Sequence, residues 1–339
     1  MSNSYRLPTV LLTALIVAIL TVGVSSQVDA QRRKSRSKKK KKNVTNLAPL
    51  GERKGLPKKA NWKCGIIIQA FTDMRGIYGT AQVPTDWPEQ EVKLLKETSS
   101  KTVRRIRYRN GRSNTRQFTM IIPRLNAGQV AQTLMTFEIT KHAIIKPQNT
   151  GIFVIPQSTP VGVKTYLQTS PKIESRNSKI TKLAKDLIAN EKKQTDWEQV
   201  EVIYDWVRDN IKYKTGGKIK GALAALNDKY ADYEDLNSLF IALCRASKIP
   251  ARTVWVPNFC YAEFYLQDKA DRGYWFPCTV AGPRQFGEMN DHRPILQKGD
   301  NIKVPEKKKP QRYLAEHVRV RGRGKPRVKF VRQLLPAKK

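Results

Sequence analysis

Two kinds of hydrophobic periodicity divide the chain. Within residues 61–169, apolar and polar positions alternate, as at 134–139, where Met135, Phe137 and Ile139 share one face. A period of two is typical of β-strands. Asn110-Gly111 stands between two such runs and predicts a β-hairpin. We therefore expect a β-rich domain over this stretch.

A helical period follows the β-rich region. Apolar residues recur at helical spacing over 180–188, and Thr195 and Glu198 have the spacing of a capping box that opens a second helix. A third helix is predicted over 235–247, ending before Pro250. Three strand-like runs come next, at 252–256, 261–266 and 274–280. Helices followed by strands indicate an α+β domain.

The C-terminal segment also has the alternation of a strand. Val318 and Val320 alternate with basic residues, and a second run at 327–330 follows a short glycine-containing stretch. This pattern predicts a hairpin with one apolar and one cationic face. The basic residues of this segment, Arg319, Arg321, Arg323, Arg327 and Lys329, are predicted to bind polyanions.

Charge separates this chain from an ordinary globular protein. The 339 residues include 64 Lys and Arg against 28 Asp and Glu, which gives a formal net charge of +36. Such a field attracts nucleic acid, anionic polysaccharide, phosphate polymers or acidic membrane surfaces. The hydrophobic content of 40% is sufficient for packed cores and excludes a chain that is disordered throughout.

The N-terminus predicts export. Arg6 precedes an apolar stretch at 10–24, which is followed by Val28-Asp29-Ala30. This order is typical of a signal peptide cleaved after Ala30. The alternative is an uncleaved membrane anchor, because a membrane span needs only about 17 apolar residues. In either case the protein is expected outside the cytoplasm, where disulfides can form.

A block of like charges follows the predicted signal peptide. Like charges repel one another and cannot be buried together, so residues 31–60 are expected to form a solvated linker. This linker either keeps the protein in solution or acts as a polyanion-binding arm. The residues proposed for that arm are Arg32, Arg33, Lys34, Lys38, Lys39 and Lys40.

Several motifs in the second half of the chain occur in a recognisable order. Residues 233–252 read YEDLNSLFIALCRASKIPAR, and AEFY at 262–265 and WFP at 275–277 follow. Over roughly 165–300 the chain resembles the transglutaminase-like superfamily. The resemblance implies an α+β fold with a papain/transglutaminase-like core of helices and then an antiparallel sheet, here preceded by the β-rich domain.

The same resemblance identifies three positions that are catalytic in the family. A cysteine at a helix N-terminus, a histidine and an aspartate would stand at Tyr233, Phe259 and Thr279. A phenol with a pKa near 10 is a poor nucleophile, phenylalanine does not titrate, and threonine carries no charge. The resemblance thus implies a non-catalytic protein. Its cleft would be lined by Tyr233, Phe259, Tyr261 and Trp275.

The cysteines allow two interpretations. In the family the strands of the catalytic histidine and aspartate are antiparallel neighbours. If Phe259 lies opposite Thr279, Cys260 lies opposite Cys278, within the range of a disulfide. The alternative is that Cys260 is a displaced nucleophile, which requires that it face the cleft beside a histidine. Cys244 lies in a predicted helix and is expected to be a core residue.

Metal and cofactor motifs do not occur in the chain. Its three histidines, His142, His292 and His317, have no zinc-site spacing with the cysteines, and no phosphate-cradling glycine loop is present. We therefore expect no metal and no cofactor. His292 follows Asp291 and lies either near the cleft or in a surface loop.

Taken together, these patterns predict five segments. They are a signal peptide (1–30), a basic linker (31–60), a β-rich domain (61–169), a transglutaminase-like domain (170–304) and a basic hairpin or tail (305–339). The favoured function is an exported, non-catalytic protein that binds or scaffolds on an anionic envelope or matrix, with a peptide-like ligand in the cleft. The alternatives are a cysteine-dependent amide hydrolase or acyltransferase with a relocated nucleophile, and a polyanion- or nucleic-acid-binding protein without sequence-specific nucleic-acid recognition.

Overall fold

The computed structural model describes residues 54–111, 113–189, 195–304 and 307–336. The predicted signal peptide and the six basic residues proposed for the linker arm, at 32–34 and 38–40, lie outside the described residues. Across the described part of the chain, every helix is too short or too polar to span a membrane.

The first strands of the described chain form a sandwich of two antiparallel sheets. Its leading strands are β1 (Lys54–Gln69), β2 (Met74–Val83), β3 (Gln90–Ser99), β4 (Arg105–Asn110), β5 (Arg116–Leu125) and β6 (Val130–Ile144). The alternation predicted for β6 is confirmed, because Met135, Phe137 and Ile139 are buried between polar neighbours. The predicted hairpin at Asn110 is also confirmed, since that residue pairs with Arg116 where β4 turns into β5.

The last two strands of the chain return to this sandwich. β14 (His317–Arg321) pairs with β2, and β15 (Arg327–Pro336) pairs with β1. The first sheet has the order β15-β1-β6-β3 and the second has the order β14-β2-β5-β4.

The predicted C-terminal hairpin is therefore wrong. The two basic strands belong to different sheets, because their apolar side chains cover two different open edges of one shared core. Val318, Val320, Val328 and Phe330 all pack against that core, so the predicted apolar face is correct for each strand separately. The proposed cationic face does not form as one surface: Arg319 and Arg321 lie on the second sheet, Arg327 and Lys329 lie on the first, and Arg323 lies between the strands.

The segment between β6 and β14 is an α+β core. After a short 3-10 helix (Lys164–Leu167), its helices are α1 (Ser178–Ala189), α2 (Asp196–Asn210), α3 (Ala222–Asp228) and α4 (Tyr233–Ala246). A parallel pair of two-residue strands, β7 (Lys212–Tyr213) and β8 (Tyr230–Ala231), flanks α3. The main sheet contains β9 (Ala251–Val256), β10 (Phe259–Gln267), β11 (Gly273–Thr279), β12 (Gln285–Phe286) and β13 (Gln297–Lys298), in the order β12-β11-β10-β9-β13. The predicted α+β class is confirmed.

Local sequence signals account for the helices. The Thr195 side chain accepts from the Glu198 amide, and the Glu198 side chain accepts from the Thr195 amide, so the predicted capping box opens α2. Helix α4 is almost fully buried from Asp235 onward and packs against β10. The short helix α3 is not among the three helices predicted from the sequence.

Buried polar contacts join the sandwich to the α+β core. The Gln90 side chain exchanges two hydrogen bonds with the backbone of Ile295, at 2.6 and 3.0 Å. Lys141 of β6 is almost completely buried, and its Nζ donates to the Arg293 carbonyl at 2.9 Å. Because unpaired buried polar groups are costly, these contacts fix the position of the loop that precedes β13.

The stability of this junction should depend on pH through Lys141. Burial lowers the pKa of its ammonium group to about 8, although the charges of Asp291 and Glu89 oppose the shift. Because the unfolded-state pKa is near 10.4, the destabilisation is full below pH 8 and disappears as the pH rises toward 10. We expect Lys141→Met to increase the free energy of unfolding at pH 7 by roughly 1–3 kcal/mol.

Urea unfolding at pH 7 and pH 10 measures this effect, and the gain should shrink at the higher pH. Lys58→Met, at an exposed position on β1, is the control and should change stability little at either pH. A Lys141→Met protein that is less stable than the parent at pH 7 would contradict the prediction.

Candidate functional site

The N-terminus of α4 is the position at which the resemblance places the family's nucleophile. The Asp232 side chain caps the helix by accepting from the amides of Glu234 and Asp235, at 2.9 and 3.0 Å. The Asp235 carboxylate accepts from the amides of Lys220 and Gly221, at 2.9 and 2.8 Å. These bonds hold the first turn of the helix, and Tyr233 is its first residue.

An aromatic and cationic stack occupies this position. The Tyr233 and Phe259 rings lie with their centroids 5.0 Å apart, and the Arg293 guanidinium lies 4.8 Å from the centroid of Phe259. Arg293 is held in turn by the Asp291 carboxylate, with Nε–O distances of 2.9 and 3.1 Å. Both rings are partly exposed. The structure thus brings together two of the three predicted triad-equivalent positions.

The phenol of Tyr233 is not activated. Burial, followed by the nearby charge of Glu234, raises its pKa to about 12. A phenol with this pKa is neutral at physiological pH, and a neutral phenol is a poor nucleophile unless a base takes its proton. The neighbouring Phe259 cannot act as that base.

Thr279 is occupied by other contacts. Its hydroxyl donates to the Ala281 carbonyl at 2.8 Å, and its own carbonyl accepts from the Tyr204 hydroxyl at 2.8 Å. Arg208 also donates to this carbonyl, at 3.3 Å. The Thr279 side chain therefore stabilises the turn that follows β11.

The other two residues predicted to line the cleft lie elsewhere. Tyr261 has no exposed surface, and the Lys141 ammonium lies 5.7 Å from its ring centroid. The Trp275 ring lies against the guanidinium of Arg252, at 3.8 Å, and against the ring of Tyr166, at 5.2 Å. Only Tyr233 and Phe259 of the four form a common surface.

The predicted disulfide register is wrong. Cys278 lies opposite Ala262 rather than Cys260, because the positions equivalent to the catalytic histidine and aspartate are offset along their strands instead of directly opposed. All four cysteines are free and buried. The Cys260 sulfur lies 3.8 Å from Nδ2 of Asn237, a residue of α4.

The thiols are in unreactive surroundings. Burial raises the pKa of Cys260 and of Cys278 well above that of an ordinary cysteine, and only the thiolate is nucleophilic. No hydrogen bond joins a cysteine to any of the three histidines within the described ranges; His142, for example, contacts the Gly55 carbonyl at 3.1 Å. The same ranges contain no group of three or more His, Cys, Asp and Glu side chains arranged to hold a metal ion.

A chain of buried ion pairs joins the α+β sheet to the sandwich. The Glu263 carboxylate accepts from Arg252 at 2.7 Å and from Lys298 at 2.6 Å, and Lys298 also reaches Glu89 of the sandwich at 2.5 Å. All four side chains are buried. Burial by itself would raise the pKa of Glu263, but the charges of Arg252 and Lys298 outweigh it and lower that pKa.

Sequence reasoning missed several residues around the site. Arg293, Lys298 and Arg312 all lie after the recognisable motifs, in a region without a clear period. Arg312 donates to the Ser238 hydroxyl at 2.8 Å and to the Glu234 carbonyl at 3.2 Å, so it closes the first turn of α4. The spacing of the motifs does not predict the contacts of these three residues. Arg252 and Glu263, by contrast, fall inside the motifs that were quoted.

Comparison with known proteins agrees with this geometry. Residues 181–280 match the model of the transglutaminase-like superfamily. Residues 181–280 are a transglutaminase-like domain. No curated protein sequence matches the chain.

Solved structures extend the comparison beyond the transglutaminase-like domain. A candidate cysteine protease from Cytophaga hutchinsonii is 17% identical, with a TM-score of 0.53 over 84% of this chain and 94% of that chain. The shared fold therefore extends into the sandwich. A candidate protease from Parabacteroides distasonis ATCC 8503 is 10% identical over 61% of this chain and 63% of that chain, with a TM-score of only 0.25.

The buried charges predict a stability difference that can be measured. We expect Glu263→Gln to decrease the free energy of unfolding by roughly 3–5 kcal/mol, because it leaves two buried cations short of a carboxylate. Glu138→Gln is the matched control, since its ion pair with Lys59 is 3.5 Å long and partly exposed and contributes about 0–1 kcal/mol. Urea unfolding compares the two variants, and equal losses would contradict the importance given to Glu263.

Proposed function

We propose that the transglutaminase-like domain performs no cysteine chemistry and that the protein is an exported binding protein held on anionic polymers. The contact between Tyr233 and Phe259 is the observation that carries this proposal. Two aromatic rings stand at the positions from which the family's cysteine and histidine act. They retain the contact between those two positions but replace an acid–base pair with a stack that cannot transfer a proton.

The surroundings of the cysteines favour the same proposal. A relocated nucleophile needs an accessible thiol with a lowered pKa and a nearby base. Cys260, the strongest candidate for that role, is completely buried under α4, and burial raises the pKa of its thiol. The alternative of an active hydrolase or acyltransferase therefore has no supporting contact among the described residues.

Binding rather than catalysis is consistent with the surface that remains. The partly exposed Tyr233–Phe259 pair offers an aromatic surface for a peptide-like ligand, and Arg293 lies against Phe259. The net charge of +36 favours attachment to an anionic envelope or matrix. Export remains a proposal that rests on the N-terminal sequence. Because the attraction is electrostatic, attachment should weaken with increasing salt.

The thiols provide the first test of the non-catalytic proposal. The mature protein is treated with iodoacetamide at pH 6.5, with and without reductant, and labelled cysteines are mapped by mass spectrometry. We expect no rapidly labelled cysteine in the folded protein, because all four are buried. Unfolding in urea is the control and should make all four react.

Turnover of amide substrates completes the test. One rapidly labelled cysteine, together with a hydrolytic or acyl-transfer activity that Cys260→Ser abolishes and Cys244→Ser preserves, would overturn the proposal. Cys244 is the matched control because it is equally buried in the α4 helix but was expected only to fill the core.

A further inference from the structure

The second sheet of the sandwich has an unusual set of charged residues. Its four strands, β2, β4, β5 and β14, contain no Asp, no Glu and no Lys. Their formally charged residues are all arginines: Arg75, Arg105, Arg107, Arg109, Arg116, Arg124, Arg319 and Arg321. The first sheet differs, because β3 and β6 carry both lysine and glutamate. The arginines are therefore a property of one sheet and not of the whole sandwich.

Strand pairing arranges some of these arginines on the outer face of the sheet. Arg319 lies opposite Tyr78, Tyr78 opposite Ile121, and Ile121 opposite Arg105. Buried Ile77 and Met120 alternate with these positions, so the row points away from the core. The row begins and ends in arginine, on the two edge strands.

A second row runs beside the first. His317 lies opposite Thr80, Thr80 opposite Thr119, and Thr119 opposite Arg107. The two threonine hydroxyls are 3.0 Å apart. Two residues along a strand span about 7 Å, and three strand spacings span about 14 Å. The outer face therefore has uncharged side chains along its two middle strands and arginines on both edge strands, at Arg105 and Arg107 of β4 and at Arg319 of β14.

The acidic residues that flank these strands are already paired. Asp73 binds Arg124 at 2.9 Å, and Glu316 accepts from Nε of Arg332 at 2.7 Å. Arg105, Arg107 and Arg319 are exposed and form no ion pair within the residues that the structure describes. Their guanidinium groups are thus available to an external anion.

We propose that this outer face binds a linear polysaccharide that carries sulfate or phosphate groups. Arginine, unlike lysine, presents a planar pair of N–H donors that binds a tetrahedral oxyanion through two hydrogen bonds. The exclusive use of arginine therefore indicates recognition of such anions rather than a general positive charge. The polymer lies over the middle strands β2 and β5, between the arginines of β4 and those of β14.

A polysaccharide fits this face better than a nucleic acid does. Single-stranded nucleic acids bind most tightly where exposed aromatic rings stack on successive bases. The two rows contain one aromatic residue, Tyr78, and the guanidinium of Arg321 lies 5.5 Å from its ring centroid. Ile121, Tyr78 and Thr119 are partly exposed and provide a mixed floor on which the C–H and hydroxyl groups of a sugar can pack.

The test rests on the proposed attachment to anionic polymers and uses the complete mature protein, with heparin as the probe. We expect the variant Arg105→Gln/Arg107→Gln/Arg319→Gln to bind heparin roughly tenfold or more weakly, with a shallower dependence on salt. The matched control, Lys58→Gln/Lys93→Gln/Lys96→Gln, removes the same charge from exposed positions on the first sheet and should lose about threefold or less in heparin affinity. Urea unfolding confirms that both proteins remain folded.

One further variant and two further ligands, single-stranded DNA and polyphosphate, separate the outcomes. Arg105→Lys/Arg107→Lys/Arg319→Lys keeps the charge, and its weaker binding would support oxyanion recognition by the guanidinium. Equal losses of heparin affinity in the arginine-to-glutamine and lysine-to-glutamine triple variants would overturn the site while leaving general attachment intact. No salt-dependent binding by the parent protein would overturn both proposals. Tighter binding of single-stranded DNA or polyphosphate than of heparin at equal salt would overturn the choice of a polysaccharide.

Discussion

The junction between the sandwich and the α+β core depends on the carboxylate of Glu263. It lies on β10, at the centre of the α+β sheet, and forms ion pairs with both Arg252 and Lys298. Lys298 then reaches Glu89, which belongs to the sandwich. These four side chains are almost completely buried, so removing one carboxylate leaves a buried cation without its partner. This pairing sets the position of β13 and, through it, the loop that carries Arg293.

In the transglutaminase-like domain, residues of the recognised motifs make buried supporting contacts. Glu263 and Arg252 are part of the motifs that identify the family, and both make close ion pairs. The rings of Tyr233 and Phe259, at the positions that the resemblance assigns to the family's cysteine and histidine, lie 5.0 Å apart and are partly exposed. The motif residues that form ion pairs are therefore buried, whereas the two aromatic residues remain at the surface.

Local signals made most of the helices and strands predictable, and long-range pairing made the remainder unpredictable. The capping box at Thr195 and the turn at Asn110 depend on residues a few positions apart, so both could be recognised. The register between β10 and β11 depends on how the connecting loop closes, and the resemblance alone placed Cys278 two residues away from its actual partner. The contact between Lys298 and Glu89 joins residues 209 positions apart, and no periodicity contains that information. The same is true of β14 and β15, whose alternation was evident but whose partners were not.

The return of the C-terminal strands to the sandwich affects the order in which the protein can acquire its structure during synthesis. β1 and β2 are made first, but β2 lacks one of its partners until Arg321 has been synthesised, and β1 until Pro336 has been synthesised. Unpaired edges are sites of misassociation, and pairing across almost the whole chain is slow. A nascent chain of this protein therefore carries β1 and β2 with one side unpaired for most of its synthesis. Pairing with β15 and β14 turns both into interior strands of their sheets.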